Sequence, residues 1–185
     1  MIYMYKDWKG IVIMRKSKHA FKDRVILKLF WLATIGLLFR FIPKDKIRHG
    51  ILAFLYKQTV TWVFGLLVVE KGLIKYPVRF FSKANKSSFS FEYFIYPSMC
   101  AIFNMNYPEN KNRLMKFFYI IFHSGILTFG EVLVERYTNL IKYIKWKWYW
   151  SFITIGLTNY SSRLFYRWFF KEEFVQNIKG SIETG

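Results

Sequence analysis

Five apolar segments joined by short, basic connections constrain this chain more than any other feature. They run over 25–42, 50–69, 89–106, 114–134 and 148–168. Each is about 18–21 residues long, matching the roughly 20 residues that cross a hydrocarbon core as a helix. The connections are short and most contain Pro, Gly, Asn or Lys, which suits helical hairpins. The reading is all-α: a polytopic transmembrane helical bundle of about five membrane-spanning helices. The bundle occupies 25–170, preceded by a basic amphipathic arm (1–24) and followed by a polar tail (171–185).

One property argues the other way. No window of 18 residues is free of charge, and the longest uncharged stretch runs over 93–108. Shorter apolar runs also build the core helices of soluble bundles. Three observations favour the membrane. Lys28 and Arg40 lie near segment ends, where long side chains reach the headgroups. Trp146, Trp148, Tyr149 and Trp150 gather at an edge, as in an interfacial belt. The segments also read as apolar on nearly every face, where a soluble bundle would show a polar stripe.

Charge narrows the partners. The chain has 29 Lys and Arg against 11 Asp and Glu, a formal +18, with 54% hydrophobic and 22% aromatic residues. Nucleic acid and anionic lipid are the two polyanions such a balance suits. A soluble nucleic-acid binder keeps an ordinary apolar fraction. Here the basic residues lie between apolar runs, which favours lipid headgroups and speaks against nucleic acid. Lys and Arg outside the segments number sixteen in the N-terminal arm and the second and fourth loops, against seven in the first and third loops and the tail. The positive-inside rule then places the N-terminus in the cytoplasm. With five spans the C-terminus is outside. If the third segment, which contains Glu92 and Pro97, is only interfacial, the C-terminal half inverts.

The N-terminus lacks the apolar core and cleavage pattern of a signal peptide. It reads as a retained arm suited to a lipid surface. The single cysteine, Cys100, allows no disulfide within one chain and reads as a small buried hydrophobe.

One string occurs twice. Val69-Glu70-Lys71-Gly72-Leu73-Ile74-Lys75-Tyr76 parallels Val134-Glu135-Arg136 followed, after Tyr137-Thr138, by Asn139-Leu140-Ile141-Lys142-Tyr143. Each copy ends one apolar segment and precedes another. A duplicated two-segment unit would produce this, and so would chance over so short a match. Lys71 and Arg136 suit the negative end of a helix dipole, and the Lys and Tyr that follow suit the headgroup layer.

The residues that can carry chemistry are few. Glu131 and Glu135 are one helical turn apart and share a face. Together they can bind a cation, relay protons or pair with an arginine, for which Arg163 on the fifth segment is the candidate partner of Glu131. Glu131 falls inside the bilayer, where an ionisable group is costly. Glu135 and Arg136 mark the exit. Glu92 and Asn104 flank Pro97, which can kink a helix and free a backbone carbonyl. Repair of that carbonyl by a neighbouring helix is the favoured expectation, and a cavity-lining break is the rival. His123 lies about 80° off the Glu131 face, a poor start for a metal site. No metal or cofactor is expected. Asp7, Asp23 and Asp45 all lie outside the apolar segments, and no G-x-S-x-G elbow, P-loop or dinucleotide fingerprint occurs. An enzyme is therefore not expected.

The second half resembles a family of small, uncharacterised multi-pass membrane proteins from Bacillus- and Clostridium-type bacteria. Phe91-Glu92-Tyr93, Tyr96-Pro97, Cys100 and Phe103-Asn104 carry the resemblance. So do Glu131, Glu135-Arg136, Thr138 to Tyr143, Trp146, Trp148 and Ser151-Phe152. Tyr76-Pro77 also fits, and the matching region spans about 50–170. The resemblance implies membrane location and a small helical bundle, and no activity.

Three functional readings follow. The first is a non-enzymatic structural or interaction component of the bacterial plasma membrane, alone or in a homo- or hetero-oligomer. The second is a small transporter or proton-coupled carrier using Glu92, Glu131 and Glu135. The third is a soluble, basic, helical nucleic-acid binder.

Overall fold

The computed structural model describes residues 17–80 and 86–171. Among these residues the chain forms five α-helices: α1 (Ser17–Phe41), α2 (Ile47–Glu70), α3 (Tyr96–Met105), α4 (Arg113–Tyr137) and α5 (Trp148–Phe169). Two short strands, β1 (Ile74–Lys75) and β2 (Lys142–Tyr143), pair antiparallel as a ribbon. The all-α expectation holds. Two helical stretches are long and apolar enough to cross a membrane: Lys44–Glu70, which is α2 with its leading turn, and α4.

Helix α1 begins at Ser17 and so takes in the last residues of the expected arm; residues 1–16 and most of the tail lie outside the described region. Asp23, read as lying outside the apolar segments, is therefore a buried helical residue. It accepts a hydrogen bond from Asn139 Nδ2 at 3.1 Å, which fastens the start of α1 to the loop after α4.

Successive helices run in alternating directions. One end of the bundle gathers the start of α1 and both strands. The opposite end gathers the connections after α1 and α3 and the end of α5. There Asn106 Nδ2 donates to Phe41 O at 3.1 Å, and the Tyr166 hydroxyl meets His49 Nδ1 at 2.9 Å.

The third segment departs from a plain helix. A wide π-turn (Phe91–Ile95) leads into α3, with Pro97 near its start. Proline lacks an N–H and its ring crowds the carbonyl four residues back. Helix α2 takes up the freed carbonyls: Gln58 Nε2 donates to Tyr93 O at 3.1 Å and Thr61 Oγ1 donates to Glu92 O at 2.7 Å. The break is thus repaired by a neighbouring helix. Helix α2 packs against α3, and its buried residues are Gly50, Ala53 and Lys57. A Cβ on Gly50 would sit 3.3 Å from the Ile42 side chain, just after α1, so this glycine lets the α1–α2 turn close tightly.

The duplicated string pairs with its own second copy. Ile74 lies opposite Tyr143 and Lys75 opposite Lys142. Ile144 N donates to Leu73 O at 2.9 Å and Val78 N to Asn139 O at 3.3 Å, continuing the same register. In the alignment of the two copies Lys75 matches Lys142, Ile74 matches Ile141 and Tyr76 matches Tyr143. The register thus has a local two-fold axis between the two lysines. Ile74, Ile141, Leu140 and Tyr76 turn inward and pack with Leu27, Phe91 and Val134 as the core at this end.

The distribution of polarity is reversed relative to a soluble bundle. Phe39, Phe122, Phe129, Leu32, Leu157 and Trp168 are all more than 60% exposed. Lys57, Asn104, Asn159, Ser162, Ser98 and Ser124 are buried. The expectation of segments apolar on nearly every face is corrected here. Helix α5 does carry a polar stripe, with Ser151, Asn159, Ser162, Arg163 and Tyr166 all buried, and the stripe faces the other helices.

Candidate functional site

The Glu131 carboxylate sits near the ribbon end of α4 and is 8% exposed. A carboxylate can only accept hydrogen bonds, so its burial requires donors. Three hydroxyls supply them. Tyr96, at the start of α3, donates to Oε2 at 2.5 Å. Tyr143 of β2 and Ser151 in the first turn of α5 donate to Oε1 at 2.7 and 2.8 Å. Trp146 Nε1 in turn donates to Ser151 Oγ at 2.8 Å. One carboxylate thereby ties together α3, α4, the ribbon and α5. Burial first, then the Glu131 charge, hold the Tyr143 hydroxyl well above the ordinary phenol range, so it remains a donor. The same holds for Tyr76, through burial, then the charges of Glu92 and Glu131.

Of the two readings of Glu131 and Glu135, the structure shows the one with Glu131 alone buried; the two do not form a joint site. Glu135 is half-buried, and its partner is Lys142, whose Nζ lies 4.0 Å from Oε1 and donates to the Glu135 backbone carbonyl at 2.6 Å. The expected pairing of Arg163 with Glu131 is corrected. Arg163 follows Ser151 by twelve residues of α5, a rise of about 18 Å at 1.5 Å per residue. That rise carries it away from Glu131, to the opposite end of the bundle. There it meets Glu109, from the loop before α4, at 2.5 Å. Its guanidinium also stacks on Tyr107 and Tyr166, at 4.6 and 4.9 Å from the ring centres. Arg167 meets the other oxygen of Glu109 at 3.5 Å.

Glu92 belongs to the π-turn and is 3% exposed. Its carboxyl lies against Gly65 of α2, where a Cβ would collide with it. Tyr76, Ser87 and the Ser88 backbone face it. Glu92, Glu131 and Lys57 all border one small cavity of about 90 Å3, together with Tyr76, Tyr96 and Ser151. Lys57 reaches the cavity from the middle of α2 and is 2% exposed. Its ammonium donates to Thr158 Oγ1 and, at 2.9 Å, to Asn159 Oδ1.

Asn104 is not part of that cavity's lining. Its Nδ2 donates to Cys100 O and to Ser162 Oγ, both at 3.0 Å, and so joins α3 to α5. Cys100 is fully buried beside it and lies 3.2 Å from Ser162 Oγ. His123 stands 3.3 Å from Asn159 Nδ2, through Nδ1. Among the described residues no group of three or more His, Cys, Asp or Glu side chains is placed to hold a metal ion.

Lys57 is one residue that sequence reasoning missed. Its signal was present: a lysine at the centre of an apolar segment, followed by Gln58 and Thr61, cannot reach the headgroups. Glu109 was also missed, because a carboxylate in a short loop gives no local sign of its partner. Comparison with protein-family models, curated proteins and solved structures finds no match.

Proposed function

We propose that this chain is an integral protein of the bacterial plasma membrane that crosses five times with its N-terminus in the cytoplasm. In this reading it acts without catalytic chemistry, as a structural or interaction component. The observation that carries the reading is the reversed polarity, with large apolar side chains outside and Lys57, Glu92, Glu131 and Asn159 inside. Water would solvate that apolar surface at a cost, whereas lipid matches it. The ribbon end carries Lys71, Lys75, Arg136, Lys142, Lys145 and Lys147, which favours the cytoplasmic side and contact with anionic headgroups there. Glu131 then serves as a knot between helices. The test is membrane fractionation: the chain should stay with the pellet after alkaline carbonate and leave it only with detergent. Recovery in the supernatant without detergent, with steeply salt-dependent nucleic-acid binding, would favour the soluble binder instead.

A second reading rests on the cavity shared by Lys57, Glu92 and Glu131. Opposed ionisable groups around a buried space are what a proton-coupled carrier uses. Purified protein in proteoliposomes should then show proton flux that Glu131→Gln reduces. Equal, background-level flux in both proteins removes this reading.

A further inference from the structure

We propose that the groove between α4 and α5 is a binding site for one anionic phospholipid, with an acyl chain along the groove and the phosphate at its cationic end. The inference rests on the membrane reading above. The groove has a volume of about 720 Å3, and its walls include Phe117, Ile120, Ile121, Ile153, Leu157 and Leu164. Phe117, Leu157 and Leu164 are each more than half exposed, so no described helix of this chain covers them. Ser124 and Gly156 lie where the two helices come together: a Cβ on Gly156 would sit 3.4 Å from Ser124 Oγ.

Charge complementarity selects the occupant. Arg113, Lys116, Arg163 and Arg167 all border the groove. The carboxylate set against them is Glu109, held by Arg163 and Arg167. Arg113 and Lys116 lie in the first turn of α4, where the helix dipole also favours an anion. A second helix would fill the apolar walls but gives no reason for cations at one end. Length agrees with a lipid tail. From Arg113 to Ser124 the groove runs about 16 Å at 1.5 Å per residue, and one leaflet contributes about half of a 30 Å hydrocarbon core. Arginine and lysine side chains hold phosphate oxygens through charge-assisted hydrogen bonds.

The experiment uses the full chain in a mild detergent, melted with added phosphatidylglycerol, phosphatidylcholine or inorganic phosphate, with bound lipid counted by native mass spectrometry. Phosphatidylglycerol should raise the melting temperature by several degrees more than phosphatidylcholine, with one lipid retained per chain. Inorganic phosphate alone should give no such rise. Arg113→Ala with Lys116→Ala should remove the preference, and Leu157→Trp, at an exposed wall position, should reduce lipid retention. Equal effects of the two lipids overturn the proposal, as does a preference that survives the double substitution, a matching effect of phosphate, or a lipid-free dimer. A chain that resists carbonate extraction yet shows no lipid preference overturns this inference and leaves the membrane reading intact. Release by carbonate overturns both.

Discussion

The hairpin of α2 and α3 and the hairpin of α4 and α5 leave the bundle through nearly the same string, but by different local chemistry. The first exit has Gly72 at φ 65°, the left-handed conformation glycine adopts at little cost. Gly72 N donates to Val69 O and Leu73 N to Val68 O, closing the helix by a Schellman motif. The second exit has two more residues and no glycine. Thr138 is extended, its hydroxyl donates to Val134 O at 2.6 Å, and it accepts from Leu140 N at 3.1 Å. Both routes deliver Leu-Ile-Lys-Tyr to the ribbon. The likeness also extends inward, since Phe64-Gly65 matches Phe129-Gly130 at the same distance from the exit glutamate. The shared string sets where the chain turns, and the buried polar groups set what each hairpin holds.

Those groups differ in place. In the second hairpin the costly carboxylate is Glu131, at the position Leu66 holds in the first. In the first hairpin it is Glu92, on the returning segment. Glu131→Leu should have the largest effect: three hydroxyls lose their acceptor, costing about 2–3 kcal/mol, read as a lowered melting temperature in detergent. Leu66→Ala should cost less, because it removes no hydrogen bond.

The matched glycines should respond with opposite sign. Gly65→Ala forces the buried Glu92 carboxyl, the end of a flexible side chain, to shift and should cost about 1 kcal/mol. Gly130→Ala meets nothing within 4 Å and should be neutral or stabilise by up to about 1 kcal/mol. Equal melting shifts for the two would show that the hairpins do not differ as described.

The proline break belongs to the first hairpin alone. Gln58→Leu leaves the Tyr93 carbonyl without its donor and should cost about 1 kcal/mol. In a Pro97→Ala background the new N–H can take that carbonyl, so the cost should shrink. A double-mutant cycle with no coupling between the two positions would sink this account.

The smallest effect concerns pH. Tyr76 and Tyr143 have raised hydroxyl pKa values in the folded chain. Their contribution is therefore complete below the unfolded phenol value of about 10 and is lost as pH rises from there toward the folded values. Alkaline melting curves should show the loss, and Tyr143→Phe should lessen it.

Much of the fold was legible because apolar runs and their basic boundaries are local properties. The exit residues Glu70, Lys71, Glu135 and Arg136 could be placed from their neighbours in sequence. So could the break at Pro97, since a missing N–H is intrinsic to proline. Pairing was not legible. Arg163 goes to Glu109 rather than Glu131 because the partner depends on where along α5 it lies, which spacing within one helix does not reveal. The start of α1 at Ser17 was missed because its first turns are charged. The inward stripe of α5 was missed because serine and asparagine read as ordinary interruptions until the neighbouring helices are known.

The two-fold register of the ribbon has a consequence for assembly. An antiparallel joint between like strings is the kind of contact that two identical subunits make across a symmetry axis. The chain thus carries, inside one polypeptide, the geometry of a dimer. Cut in the loop between α3 and α4, it would give two fragments that each retain one strand of the joint and the apolar isoleucine behind it.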